Sequence, residues 1–281
     1  MKHPAEMVVH QYLDKASKGE TEISTSTVNQ ICKDVREAVV KQFGGGNKRG
    51  EFAYRMSNVG RPSCQLWFEK NRPQEALPKP TTFIMNMMLG DIVEAVFKGI
   101  LKEAGVKYED PKRVTLDMGE DSPQRVVTGE YDLVIDGAVD DVKSASDWSY
   151  RNKFDSFDTL KNGDAFGYVS QLAGYASASG KKAGGWWVVN KANGDIKYVP
   201  SQINVEQEVT KFKANMKKAS SDTFERCYEP VEETFRGKPT GNKILPITCR
   251  FCSYRRSCHP TLQELPQKMS KAKDPKIVAY V

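Results

Sequence analysis

Apolar positions along the chain follow two different periods. Between residues 24 and 43, Val28, Ile31, Val35 and Val39 recur at the spacing of one helix face, and Thr27 with Gln30 has the spacing of a capping box, so an amphipathic helix is predicted. Gly44, Gly45 and Gly46 end it. A longer helix is predicted over residues 83–104, where Met85, Met88, Leu89, Ile92, Val93, Val96, Phe97, Ile100 and Leu101 form one broad apolar stripe that calls for a sheet beneath it. The period then shortens to that of strands over residues 113–118, 125–135 and 138–144, with Asp136-Gly137 as the turn between the last two. A helix over residues 165–178, a buried strand over 184–190 (GGWWVVN), a short strand over 196–199 and a helix over 205–219 follow. That last helix carries Lys211, Lys213, Lys217 and Lys218. The order helix, three strands, helix, strand predicts an α/β domain with a mixed sheet.

Composition narrows the class. A chain of 281 residues is long enough for one large domain with attachments or two modest ones. With 28% charged residues and a mean hydropathy of -0.57, no apolar run approaches the roughly 20 residues of a membrane helix. The first residues, MKHPAEMVVHQYLDKASKGE, carry no signal-peptide core, so an intracellular, cytoplasmic site of action is expected, a virus-encoded protein included. A net charge of +6 and a pI near 8.8 fit a polyanionic partner. Asn47-Lys48-Arg49-Gly50 suits either a linker or a DNA-backbone contact. The segment GYASASGKK (residues 174–182) has one residue too many between its glycines for a phosphate-binding loop, and Lys182 stands where a magnesium-binding Ser or Thr belongs. No ATP-driven motor is expected.

Six cysteines in a reducing compartment point to ligands rather than disulfides. Cys249, Cys252 and Cys258 cluster as C-x2-C-x5-C, and Cys64 is the expected fourth, with Cys227 or Cys32 as its possible substitutes and His259 as an outside candidate. Four thiolates hold either tetrahedral zinc or an iron–sulfur cluster. Between the cysteines, Arg250, Arg255 and Arg256 interleave with Phe251 and Tyr254, a composition suited to gripping a single strand.

The acidic centre lies in GEYDLVIDGAVDDVKSAS (residues 129–146). On a strand, Asp141 and Lys143 point the same way, about 6–7 Å apart along the backbone, while Val142 points into the opposite layer. The Asp136-Gly137 turn can bring Asp132 beside Asp141 to share a hard cation, magnesium or manganese. Lys143 can then orient water or stabilise a pentavalent phosphate. The plainer reading is a set of exposed acids on an edge hairpin. Gln171 and Tyr175 lie one helical turn apart and share a face.

An acid followed some ten residues later by D-x-K after an apolar strand resembles the PD-(D/E)xK nuclease superfamily, with Asp132 as first acid and Asp141-Val142-Lys143 as second motif. Q-x3-Y at Gln171 and Tyr175 resembles its RecB-type branch, in which this helix contacts DNA and supports the site. Where that branch carries a metal-binding His, Gly90-Asp91-Ile92-Val93-Glu94 supplies Glu94, a departure that leaves the choice between magnesium and manganese open. One upstream cysteine with a C-terminal C-x2-C-x5-C resembles the iron–sulfur RecB-like nucleases, which include CRISPR-associated exonucleases and AddB-type repair nucleases.

The resemblance implies a restriction-endonuclease-like mixed sheet flanked by helices, with an iron–sulfur-stapled helical subdomain. It implies Glu94, Asp132, Asp141 and Val142 as the magnesium or manganese set, Lys143 as catalytic lysine, Gln171 and Tyr175 as supporting residues, and Cys64, Cys249, Cys252 and Cys258 on a 4Fe-4S cluster. The expected organisation is a helical N-terminal region over 1–50, able to carry a protein partner or a homo-oligomer contact, a cysteine-supplying segment over 51–82, a nuclease core over 83–240 and a cysteine cluster with tail over 241–281. The expected activity is metal-dependent hydrolysis of DNA from ends or single strands, in recombination, repair, defence or viral DNA processing. Two alternatives stand beside it: a nucleic-acid-binding module whose nuclease site is idle, and a zinc-stapled scaffold.

Overall fold

The computed structural model describes residues 3–44 and 51–281, so the basic segment at 47–50 lies outside the described residues. The fold is mixed α/β. Along the chain come α1 (Pro4–Ser17), α2 (Thr25–Phe43), α3 (Ser63–Asn71) and α4 (Thr82–Glu103). Next are β1 (Lys112–Asp117), β2 (Val126–Tyr131), β3 (Leu133–Ile135), β4 (Ala138–Ala145), α5 (Phe157–Asn162) and α6 (Tyr168–Ser179). Then follow β5 (Lys182–Asn190), β6 (Ile196–Pro200), α7 (Val205–Ala219), β7 (Val231–Phe235) and β8 (Lys238–Ile244). The chain closes with α8 (Ile247–Arg250), α9 (Arg255–Cys258), β9 (Gln263–Pro266) and β10 (Ile277–Tyr280). Among the described residues no helix is long and apolar enough to cross a membrane.

The chain divides into two compact units, residues 1–60 with 80–213, and residues 61–79 with 214–281. The expected partition changes accordingly. The N-terminal helices are part of the first unit, and residues 214–240, assigned from sequence to the nuclease core, join the second together with the segment that carries Cys64. The cause is packing: α1 and α2 both lie against α4.

In the first unit, four strands form a mixed sheet in the order β3-β4-β5-β6, parallel between β4 and β5 and antiparallel elsewhere. One face buries Leu133, Ile135, Val142, Trp187 and Ile196 against Ala5 and Val9 of α1 and Phe97 and Leu101 of α4. Trp186, adjacent to Trp187, faces the other layer, where its ring lies 6.2 Å from Phe157 of α5. On the same strands, α6 packs against β4 and β5. Strands β1 and β2 form a separate antiparallel pair, also in contact with α6.

Two predicted helices are present with different details. Helix α4 buries Ala95, Phe97, Gly99 and Leu101, while Met85, Leu89 and Val96 of the predicted stripe are exposed. Only the second half of the helix reaches the core. Gly99 marks its close approach to α2, since a Cβ there would lie 2.5 Å from Ile31 Cδ1. Helix α2 is capped by Ser24, whose Oγ accepts the Thr27 N–H at 3.3 Å, one turn before the predicted Thr27–Gln30 box. The rejected phosphate loop is the end of α6 and its cap: Gly174 lies inside the helix, Gly180 caps it in the left-handed region and Lys182 begins β5.

The second unit is an antiparallel sheet in the order β7-β8-β10-β9 with the short helices α3, α8 and α9. Among the described residues, Trp67, Phe68, Tyr254 and Cys258 form one of its apolar clusters, and Leu245, Cys249 and Ala279 another.

Candidate active site and cysteine cavity

The acidic site is assembled by a hairpin. Asp136 and Gly137 have φ of 50° and 75°, the left-handed pair that a two-residue hairpin turn requires, and they join β3 to β4 so that Ile135 faces Ala138 and Leu133 faces Asp140. Asp132 occupies the break between β2 and β3, and its Oδ2 accepts the Val142 N–H at 2.7 Å. That bond fixes the first acid against the strand bearing the second. Asp141 and Lys143 share a side of β4, and the Lys143 ammonium donates to Asp141 Oδ1 at 2.8 Å while lying 2.6 Å from Oδ2. Val142 points into the apolar core, so only its main-chain carbonyl could serve a cation.

Glu94 enters from α4, where its carboxylate pairs with the ammonium of Lys98 one turn later. Burial raises the Glu94 carboxyl above its ordinary value, and the charge of Asp132 raises it further. Burial likewise raises Asp132, to about 6, with Asp141 adding to the shift. Asp141 is raised by burial against the pull of Lys143. Burial alone would lower the Lys143 pKa, but the charges of Asp141 and Asp132 outweigh it and raise the value. On α6, Gln171 Nε2 donates to the Tyr175 hydroxyl at 3.0 Å. Burial raises the Tyr175 phenol, with the charges of Asp141 and Asp132 contributing. Glu94, Asp132, Asp141, Lys143 and Tyr175 therefore lie in one another's electrostatic field, with Gln171 bound to the last. The acids are not exposed groups on an edge: Asp141 is 2% exposed.

Sequence reasoning passed over two members of this cluster. Lys98 reaches both Glu94 and, through its charge, Asp132; the signal was the Glu-x3-Lys spacing within α4. Tyr168, the first residue of α6, places its ring centroid 4.8 Å from Lys143 Nζ. Asp140 belongs elsewhere. Its carboxylate accepts the Gly185 N–H at 2.7 Å, the Tyr198 hydroxyl at 2.8 Å and the Trp187 Nε1–H at 3.3 Å, so this neighbour of Asp141 is a structural acid in the opposite layer. Gly184 makes room for it, since a Cβ there would lie 2.0 Å from Asp140 Oδ1.

In the second unit Cys64, Cys249, Cys252 and Cys258 line one cavity, with His259 on the same wall. Burial raises the thiols of Cys249 and Cys252 to about 12 and about 11. His259 is 2% exposed, and its Nε2 has no hydrogen-bond partner. Cys227 does not line the cavity; its Sγ accepts the Cys64 N–H at 3.1 Å. Cys32 is exposed on α2 of the first unit. Of the residues expected to grip a single strand, Arg255 and Arg256 each bind Glu264 at 2.9 Å and Tyr254 is buried, stacked on Phe68 with ring centroids 5.3 Å apart, while Phe251 is exposed. Among the described residues, no three His, Cys, Asp or Glu side chains are gathered closely enough to hold a single metal ion.

No protein-family model matches the chain, and no curated protein does. Among solved structures it is similar to one described as the crystal structure of SSO0001, at 12% identity and a TM-score of 0.45, over 86% of this chain and all of that one.

Proposed function

We propose that the chain is a metal-dependent DNA nuclease of the PD-(D/E)xK, RecB-like kind, hydrolysing phosphodiester bonds at DNA ends or in single strands. One observation carries the reading: Asp132 is tied by its carboxylate to the backbone of the strand that bears the Asp141–Lys143 pair. Around that tie, the three carboxyls of Glu94, Asp132 and Asp141 are all held above their ordinary pKa by burial and by one another's charge. A site that crowds acids in this way has an unmet demand for positive charge, which a divalent cation supplies better than two lysines.

The acids Glu94, Asp132 and Asp141, with the Val142 carbonyl, are the residues that would hold magnesium or manganese; they share one electrostatic field but, as placed, are not gathered into a three-ligand site, so binding the ion would draw them together. Such an ion lowers the pKa of a water molecule and neutralises charge on the scissile phosphate. The side chains of the site do the rest. Lys143, raised in pKa and so cationic at any working pH, presents its ammonium to a phosphate oxygen or to the attacking water. Asp141 holds that ammonium in place, and Gln171 with Tyr175 closes the α6 side.

The thiols of Cys64, Cys249, Cys252 and Cys258 would hold an iron–sulfur cluster. What supports a shared group there is that the four thiols line one cavity, and a single zinc ion is the alternative occupant.

The test is digestion of end-labelled single- and double-stranded DNA with magnesium or manganese. Asp141→Ala and Lys143→Ala are each expected to slow cleavage by about 10²-fold or more. Undiminished cutting by either variant sinks the reading, and DNA binding without cleavage by the wild-type protein favours the idle-site alternative.

A further inference from the structure

Beyond Lys143, the chain turns out of β4 into a π-helical turn, Ser149–Lys153, whose last residue holds its charge in an unusual place. The Lys153 ammonium lies 4.2 Å from the ring centroid of Tyr168, 4.7 Å from that of Phe166 and 5.9 Å from that of Phe154. The three rings are nearly parallel. Phe154 and Phe166 each stand at 19° to Tyr168, with centroids 6.0 Å and 5.7 Å from it. Lys143 Nζ faces the same Tyr168 ring at 4.8 Å. The two ammoniums are therefore separated by no more than the sum of their distances to one ring, a span that neighbouring phosphates of a nucleic-acid strand can bridge.

The two lysines differ in their counter-charge. Lys143 is paired with Asp141. No carboxylate among the described residues pairs with Lys153, and the acid whose field reaches it, Asp164, spends both oxygens on the N–H groups of Tyr168 and Val169, each at 2.9 Å. Burial, and after it the repulsion from Lys143, brings the Lys153 pKa down to about 8 against the pull of Asp164. The aromatic faces hold this half-buried cation in place without neutralising it. The arrangement makes sense for a group that awaits an anion. Beside it Phe166 is 44% exposed, an aromatic surface at the rim of the site.

We propose that Lys153 and Phe166 form a nucleotide subsite for single-stranded DNA next to the catalytic lysine, Lys153 binding the backbone phosphate adjacent to the one that is cut and Phe166 carrying the base of that nucleotide. This rests on the nuclease reading for the position of the cut, and it deepens that reading by naming an unpaired strand as the substrate: inside a duplex both faces of a base are covered by its stacked neighbours, whereas a single strand can present a face to Phe166.

The experiment is cleavage of fluorescently labelled single-stranded DNA over a range of salt, together with anisotropy measurements of binding with calcium in place of magnesium. Lys153→Ala is expected to raise KM and weaken binding about tenfold while kcat stays within about threefold, and to lower the slope of log affinity against log salt by about 0.7, the loss of one single-strand phosphate contact. Lys153→Arg should restore both. Phe166→Ala should weaken binding of an intact strand and have no effect when the nucleotide it serves is abasic. Unchanged affinity and salt slope in Lys153→Ala, in a wild-type protein that cuts, overturns the subsite and leaves the nuclease intact. A lower melting temperature with no rescue by Lys153→Arg also overturns it, in favour of a packing role. If the wild-type protein binds single strands through Lys153 but never cuts, the subsite stands and the nuclease reading falls; if it does neither, both fall.

Discussion

Asp132 owes its position to one hydrogen bond from the Val142 N–H, and that bond is not enough to make its ionisation easy. Burial, and then the charge of Asp141, hold its carboxyl at about 6, against an ordinary 3.8. Proton and cation then compete for the same oxygens. Manganese-supported cleavage should fall as pH drops through about 6, by up to tenfold per unit at subsaturating metal, and the midpoint should move to lower pH as manganese is raised. Initial rates on end-labelled DNA at two manganese concentrations check this, and a midpoint indifferent to manganese would count against Asp132 as a ligand. In the metal-free protein the linkage has the matching sign. The native state holds this proton more tightly than the unfolded chain, so the contribution to stability is fully present below 3.8 and is lost as pH rises through about 6. The adjacent pair Asp140 and Asp141 shows how far one residue matters on a strand: the first accepts three donors inside the protein, while the second faces the lysine and the acids of the site.

At the scale of elements, what could be read in the sequence was what local pattern enforces. The strands around Asp136-Gly137 were legible because the turn demands two left-handed residues and the flanking apolar run demands burial. Helices α4, α6 and α7 and strands β5 and β6 followed from periodicity over long stretches. Strands β7 and β9 were not legible, since β9 is exposed along its whole length and the burial of β7 does not alternate; β8 was missed although its half-buried positions alternate with exposed ones. The pairing of Asp132 with Asp141 followed from the Asp136-Gly137 turn and the role of the pair from motif resemblance; Lys98 had a local signal in its spacing from Glu94, whereas Tyr168 and Lys153 join the site only through tertiary packing, which no spacing in the sequence announces. Contact between elements also explains Gly129 on β2. A Cβ there would lie 2.6 Å from Tyr175 Cε1 on α6 and 2.9 Å from Met56 Cβ. Gly129→Ala should therefore destabilise the protein by about 1–3 kcal/mol in urea unfolding. It should also push Tyr175 off Gln171, lowering kcat on DNA more than its stability loss explains. An alanine variant with wild-type stability and rate would show that β2 and α6 are not in this close contact.

At the scale of the whole molecule, the two units differ in how they can be held together internally. The first has a continuous sheet core closed by helices on its faces. In the second, two apolar clusters among the described residues each include a cysteine of the cavity, so any thiol ligation there would use side chains that also pack the unit. A cofactor bound by these thiols only in the folded state should supply part of this unit's stability. Protein purified without oxygen should be brown, with visible absorption and with iron and sulfide in equal amounts. Removing the cluster with an oxidant and chelator, or by Cys252→Ser, should lower the calorimetric transition of the second unit by at least about 5 °C. The transition of the first unit should stay where it was. Cys32→Ser, an exposed thiol of the first unit, should change neither colour nor transition. Colourless protein containing zinc would replace the cluster with a zinc staple, and a second-unit transition indifferent to Cys252→Ser would mean that these thiols stabilise nothing. Because the acids and Lys143 all belong to the first unit, the metal dependence of cleavage and the colour of the second unit are separate measurements, and either can fail without the other.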